Sequence, residues 1–178
     1  MVHHNPGEAM TESKFLDPSF LKKNEYGAKV FFLFEAAQFG IDWKSFDPSL
    51  FPDTTEAGRW VAEKAEIIHK KYDAAKKEDL QVYCMLDMLV LPSLLVEKHR
   101  TELTNEQGKL DISKPYTQLC IRELMKEMFE TFPQLDGLVI RTGETYLHDA
   151  PYYVGNHPVQ NGMYDHLSLI HISEPTRR

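Results

Sequence analysis

The pattern of apolar and polar positions divides the chain into three apolar runs separated by two amphipathic stretches. The first run, Ala28-Lys-Val-Phe-Phe-Leu-Phe-Glu35, ends in a carboxylate. It reads as a buried parallel strand, with a helix through Ala36 and Ala37 as the competing assignment, since periodicity does not separate the two over so few residues. The second run, Val82-Tyr-Cys-Met-Leu-Asp-Met-Leu-Val-Leu-Pro92, is interrupted by Asp87. The third is Gly137 to Arg141. Between the first two, Asp53-Thr-Thr-Glu56 resembles a capping box. It opens a helix whose apolar groups at Ala57, Trp60, Val61, Ala65, Ile68 and Tyr72 recur at spacings of three and four. Lys64, Lys70 and Lys71 fall largely on the opposite, solvated face. Between the second and third runs, Ser113-Lys-Pro115 starts another helix, with Ser113 as N-cap and Pro115 in the first turn. Cys120, Ile121, Leu124, Met125, Met128, Phe129 and Phe132 form its stripe, which reads as core, and Pro133 stops it.

The order is strand, helix, strand, helix, strand, with connections long enough for parallel crossovers. Val2 to Asn5 reads as the end of a still earlier strand. Phe39 to Asp53, with Gly40, Pro48 and Pro52 around Trp43 and Phe46, is a loop with aromatic anchors. The polar segment from Pro92 to Ile112 is an excursion over the site face, partly helical, with Gly108 in a turn. The fold class is therefore α/β with parallel strands, arranged as a barrel or as a doubly wound sheet.

Composition changes this picture little. Hydrophobic residues make up 42% and charged residues 26% of the 178 residues, the range of soluble globular proteins. That length supports one domain with a real core. The net charge of −7 and the lack of any long Lys/Arg block exclude nucleic acid as the main partner. No apolar run reaches the length of a membrane span. Cys84 lies in a strand-like run and Cys120 on an apolar helix face, so both read as buried thiols. Neither the compartment nor the oligomeric state is specified by these residues.

Each strand ends in a polar group: Asn5, then Glu35, Asp87, and Arg141 with Glu144. In barrels and doubly wound sheets such ends converge on one face, where ligands bind. Converging carboxylates suit general acid/base chemistry, because burial and mutual repulsion separate their pKa values. Glycoside hydrolysis needs such a pair, roughly 5 Å apart in retaining enzymes and roughly 6.5–9.5 Å apart in inverting ones. Glu144 is the first-choice acid, with Asp87 and Glu35 as second-choice carboxylates. Arg141 suits a substrate carboxylate, Trp43, Tyr146, Tyr152 and Tyr153 suit sugar faces, and His148-Asp149 suits a catalytic or a hydroxyl-binding pair. The structural alternatives are a loop carboxylate or cap for Glu144, an ion pair with a neighbouring strand for Arg141, and a local loop hydrogen bond for His148 and Asp149.

The stretch Leu135-Asp-Gly-Leu-Val-Ile-Arg-Thr-Gly-Glu-Thr-Tyr146, followed by His148-Asp-Ala-Pro-Tyr-Tyr153, resembles the (β/α)8 glycoside hydrolases of the α-glucuronidase and β-hexosaminidase type. The resemblance extends loosely over residues 28–165. It implies an incomplete (β/α)8 barrel, a carbohydrate substrate, a strand-end acid at Glu144, and no cofactor. It does not align a second catalytic acid.

Both ends of the chain bear on this reading. Leu167-Ser-Leu-Ile-His-Ile-Ser-Glu-Pro-Thr-Arg177 resembles translated adapter DNA from sequencing libraries. Residues 1–166 are then a partial α/β barrel domain and residues 167–178 a non-native tail, without which the net charge is −8. Met1 reads as an internal methionine. Three or four βα units cannot close an eight-stranded barrel, so residues 1–166 are expected to lack activity on their own. Two other functions fit the same residues. Metal-dependent hydrolysis would use His3, His4, Glu35, Asp87 and His148, although no tight ligand spacing is present. A non-catalytic carbohydrate-binding domain would use the aromatics and not the acids.

Overall fold

The computed structural model describes residues 14–141 and 150–156. They gather into two compact units: residues 14–42, 51–86 and 126–139, and residues 43–50, 87–125, 140–141 and 150–156. The protein is mixed α/β, with a parallel sheet of three strands. These are β1 (Ala28–Phe31), which follows the short helix α1 (Pro18–Lys23), β2 (Gln81–Asp87) and β4 (Gly137–Arg141), in the order β1-β2-β4. The register runs from Ala28 opposite Gln81 to Phe31 opposite Cys84.

In the first unit, alternation along the strands sorts the two faces. Lys29, Phe31, Val82, Cys84 and Leu86 are buried, whereas Val30, Tyr83 and Met85 are only half-buried. The buried set faces helix α2 (Glu56–Lys77), with Tyr72 stacked on Phe31 at 4.7 Å between ring centroids. The first apolar run is thus a shorter strand than its composition indicates. After Phe31 the backbone turns through two short 3-10 segments, Leu33–Glu35 and Ala37–Phe39. Tertiary bonds hold them: the Tyr72 hydroxyl donates to the Glu35 carbonyl at 3.0 Å, and the Ala37 N–H to Cys84 Sγ at 3.2 Å. Neither extended strand nor continuous helix offers those partners.

Thr55 caps α2, its hydroxyl accepting from the Gly58 N–H at 3.0 Å. The buried face is Gly58, Val61, Ile68, Tyr72 and Ala75. Trp60 is half-buried, with the Lys64 ammonium 5.4 Å from its ring centre. Gly58 is set by close approach. A Cβ there would lie 2.1 Å from the Pro52 carbonyl oxygen and 2.7 Å from its carbon, both backbone atoms. Gly→Ala inside a helix ordinarily gains about 1 kcal/mol. Here the clash outweighs that gain, so Gly58→Ala is expected to lose about 1–2 kcal/mol net, read as a lower urea midpoint. A raised midpoint would show that Pro52 and Phe51 do not abut the helix.

The helix before β4 is α5 (Pro115–Thr131). Its capping position is Lys114, whose carbonyl accepts from Gln118 N–H at 3.1 Å, and not Ser113 as its residue type predicts. The Ser113 hydroxyl instead donates to Asp111 at 2.7 Å in a turn ahead of the helix. The expected stripe holds at Cys120, Ile121, Leu124, Met128 and Phe132, but Phe129 is 42% exposed and Glu127 is buried. In the first unit, Phe132 packs on His69 and Tyr72 at 4.6 and 5.6 Å between ring centroids. Both cysteines are buried and neither is in a disulfide, and burial pushes the Cys120 thiol up to about 12.

The second apolar run is divided. It leaves the parallel ladder after Asp87, turns, and re-forms as β3 (Val90–Pro92). In the second unit, β3 pairs antiparallel with β5 (Tyr153–Gly155), Val90 lying opposite Gly155. The expected excursion is short helices, α3 (Ser93–Lys98) and α4 (Arg100–Leu103), followed by a turn at Gly108. The buried Asn156 amide ties that turn down. It accepts from Leu110 N–H at 2.9 Å and donates to the Leu110 carbonyl at 2.8 Å. Among the described residues no helix is long and apolar enough to cross a membrane.

Candidate functional site

The strand ends carry the candidate chemistry. Asp87 is the last residue of β2 and Arg141 the last of β4. Sheet order makes these strands neighbours, so residues from distant sequence meet at the ends of adjacent parallel strands. Arg141 Nε donates to Asp87 Oδ1 at 2.5 Å, and Nη2 also contacts that oxygen. The Asp87 side chain is 1% exposed and that of Arg141 20%. A guanidinium on a buried carboxylate favours the anion. Asp87 is thereby placed to hold and orient the Arg141 guanidinium. Segment 142–149 follows Arg141 directly in sequence. Its candidates Glu144, His148 and Asp149, with Tyr146, lie outside the described residues.

Three of the remaining candidates take structural places. Trp43 is fully buried, at 0% exposure, so no ring face is open to a sugar. Its sequence neighbourhood, a Gly- and Pro-rich loop, reads as surface; in the fold the indole fills the interior of the second unit. Phe46 packs edge-on at 6.0 Å between centroids. Burial pushes the nearby Tyr153 phenol far above its ordinary range, with the Trp43 indole opposing. Tyr153 is therefore core as well. Tyr152 is half-buried and adopts φ 64°, and its carbonyl accepts from Ser93 N–H at 2.8 Å. That positive φ turns the chain into β5.

Glu35 belongs to the first unit, where it is ion-paired with Lys71. The two lie on a cleft of about 160 Å³ that is also lined by Leu16, Pro18, Lys29, Phe31 and Ala74. Lys29 is 9% exposed. Its ammonium donates to the Leu16 carbonyl and lies 4.9 Å from the Phe31 ring centre. Burial lowers its pKa, Lys71 lowers it further, and Glu35 and Asp17 act in the opposite direction. Residue type alone does not single out Lys29. Strand register does, because Lys29 shares the buried face with Phe31.

A second polar cluster, in the other unit, was also not evident from the sequence. Asp47 accepts from the Ser49 hydroxyl at 2.5 Å and from Lys98 at 2.9 Å. The Ser49 hydroxyl bond, then Lys98, hold its carboxyl down at about 2. Nearby, His99 Nδ1 lies 2.7 Å from Glu102, and its ring packs on Tyr116 at 4.6 Å. Among the described residues, no three His, Cys, Asp or Glu side chains are grouped to hold a metal ion. His3, His4 and His148 lie outside the described residues.

Comparison of the chain with family models, with curated proteins and with solved structures gives no match.

Proposed function

We propose that this chain is part of a (β/α)-barrel glycoside hydrolase, acting on a carbohydrate by carboxylate general acid/base catalysis. The observation that carries the reading is the Asp87–Arg141 pair at the ends of neighbouring parallel strands, directly before the segment that holds Glu144, His148 and Asp149. Strand ends are where barrels bind substrate. The strand order β1-β2-β4 steps in one direction, as neighbouring βα units of a barrel do and as each half of a doubly wound sheet also does.

In this reading Glu144 is the acid that protonates the glycosidic oxygen. Arg141, held by Asp87, meets an acidic group on the sugar, and Asp87 keeps the guanidinium in place. His148 and Asp149 take hydroxyls. No cofactor is used.

The test uses the protein encoded by the uninterrupted reading frame of the source DNA, assayed on aryl glycosides and uronic-acid-containing oligosaccharides. Hydrolysis is expected, and Glu144→Gln is expected to lower kcat by about 100-fold or more while binding is retained. A folded protein that cleaves no glycoside in that panel, or one unaffected by Glu144→Gln, overturns the proposal. Binding without hydrolysis would assign the chain to carbohydrate recognition instead.

A further inference from the structure

Lys29 is the charged residue of β1, and the glycosidase reading gives it no role. A lysine turned onto the helix-covered face of a sheet is an expensive choice. Its ammonium loses water, and a single backbone carbonyl from Leu16 replaces it. An apolar residue at that position would pack on Phe31 and Ala74 without that cost. Yet the amine is not sealed in, because the cleft of about 160 Å³ reaches it, with Lys71 and Glu35 on the same wall. The volume suits a molecule of a few carbon atoms. The wall mixes apolar groups (Leu16, Pro18, Phe31, Ala74) with one acid and two amines.

We propose that this cleft is a reactive-amine site, in which Lys29 forms an imine with a small aldehyde or keto compound. It stands apart from the glycosidase reading and needs only the first unit.

The step balances without an oxidant or reductant. The Lys29 ammonium releases one proton to solvent. The amine lone pair then forms a C–N bond to the carbonyl carbon, the carbonyl π electrons move to oxygen, and one proton passes from the new ammonium nitrogen to that oxygen. The resulting carbinolamine loses water, giving C=N between Lys29 and the former carbonyl carbon. The Glu35–Lys71 pair supplies an acceptor and a donor beside these transfers. The charged groups around Lys29 are Glu35, Lys71 and Asp17. Burial with Lys71 favours the neutral amine that attacks, and the two carboxylates oppose it. An unperturbed lysine is neutral at pH 7 only to about 0.04%, so the lowering raises the attacking fraction.

The experiment treats the chain at pH 7 with acetaldehyde or glyoxylate and sodium cyanoborohydride, which traps each imine as a secondary amine. Modified lysines are then located and timed by peptide mass spectrometry. Lys29 is expected to react about tenfold faster than the exposed Lys70 and Lys77, with a rate that saturates in aldehyde, and to lose this advantage in 8 M urea. Glyoxylate outpacing acetaldehyde would assign the site to carbonyl acids, and the reverse to neutral aldehydes. Reaction of Lys29 no faster than that of Lys70 and Lys77 overturns the proposal. So does a preference that persists in urea, because it would not depend on the cleft.

Discussion

Trp43→Ala is expected to lower the stability of the protein by about 4 kcal/mol. The indole is among the largest fully buried side chains, and truncation leaves a cavity that Phe46 and Tyr153 cannot fill without leaving their own positions. A further effect acts in the opposite direction. Trp43 adopts φ 57°, in the left-handed region that disfavours a side chain by about 1 kcal/mol. Trp43→Gly relieves that strain and is therefore expected to cost no more than Trp43→Ala, although it removes one more carbon. Trp43→Phe retains most of the apolar volume and should cost about half as much. With a denaturant slope of about 2 kcal/mol per molar in urea, Trp43→Ala moves the midpoint down by about 2 M. A midpoint within a few tenths of the parent would mean that the indole is not core and would return Trp43 to the list of sugar-stacking residues.

The second large effect is at Arg141. Arg141→Met removes the guanidinium from a carboxylate that is 1% exposed and leaves the Asp87 charge buried. Breaking a buried pair from one side costs about 3–5 kcal/mol. The Arg141 side chain is 20% exposed, so water can partly replace it and the lower end, about 3 kcal/mol, is expected. Removing both charges in Asp87→Asn/Arg141→Met should cost less than the sum of the single changes, with a coupling of about 1–3 kcal/mol in the double-mutant cycle. Arg141→Lys restores charge without the planar donors and should recover part of the loss. Additive single changes would show that the two side chains do not interact, removing the observation on which the proposed function rests. These variants also separate structure from chemistry. A loss of hydrolysis in the full-length protein that exceeds the loss of folded protein would assign Arg141 to the substrate as well as to Asp87.

These expectations show which parts of the molecule are local. The helices α2 and α5 were legible because each carries an apolar stripe at helical spacing with a start signal, Asp53-Thr-Thr-Glu56 for one and Ser113-Lys-Pro115 for the other, although the caps themselves fall at Thr55 and Lys114. The third strand was legible to the residue, Gly137 to Arg141, because turn residues and polar groups bound a short apolar run on both sides. The other two apolar runs were legible as elements but not in their lengths. Ala28 to Glu35 ends its strand at Phe31 because α2 offers the following backbone a hydroxyl and β2 offers it a thiol. Val82 to Pro92 divides after Asp87, where the chain leaves parallel neighbours for the antiparallel β5. An apolar run states that a segment is buried, not where its hydrogen-bonding partners stop.

The same division applies to the candidate site. Residue types and their position after apolar runs were enough to single out Asp87 and Arg141, because a charged group at the end of a buried strand is a break in pattern that chain order alone reveals. That Arg141 meets Asp87 depends on β4 lying beside β2, and only the paired sheet determines it. Trp43 shows the reverse case: an aromatic in a Pro- and Gly-rich loop looks like surface until the fold closes over it. For Lys29, the sequence determined a charge within an apolar strand, while tertiary structure decided that this charge faces inward. A side chain's chemistry belongs to its residue, but its exposure and its partner depend on what the rest of the chain packs against it.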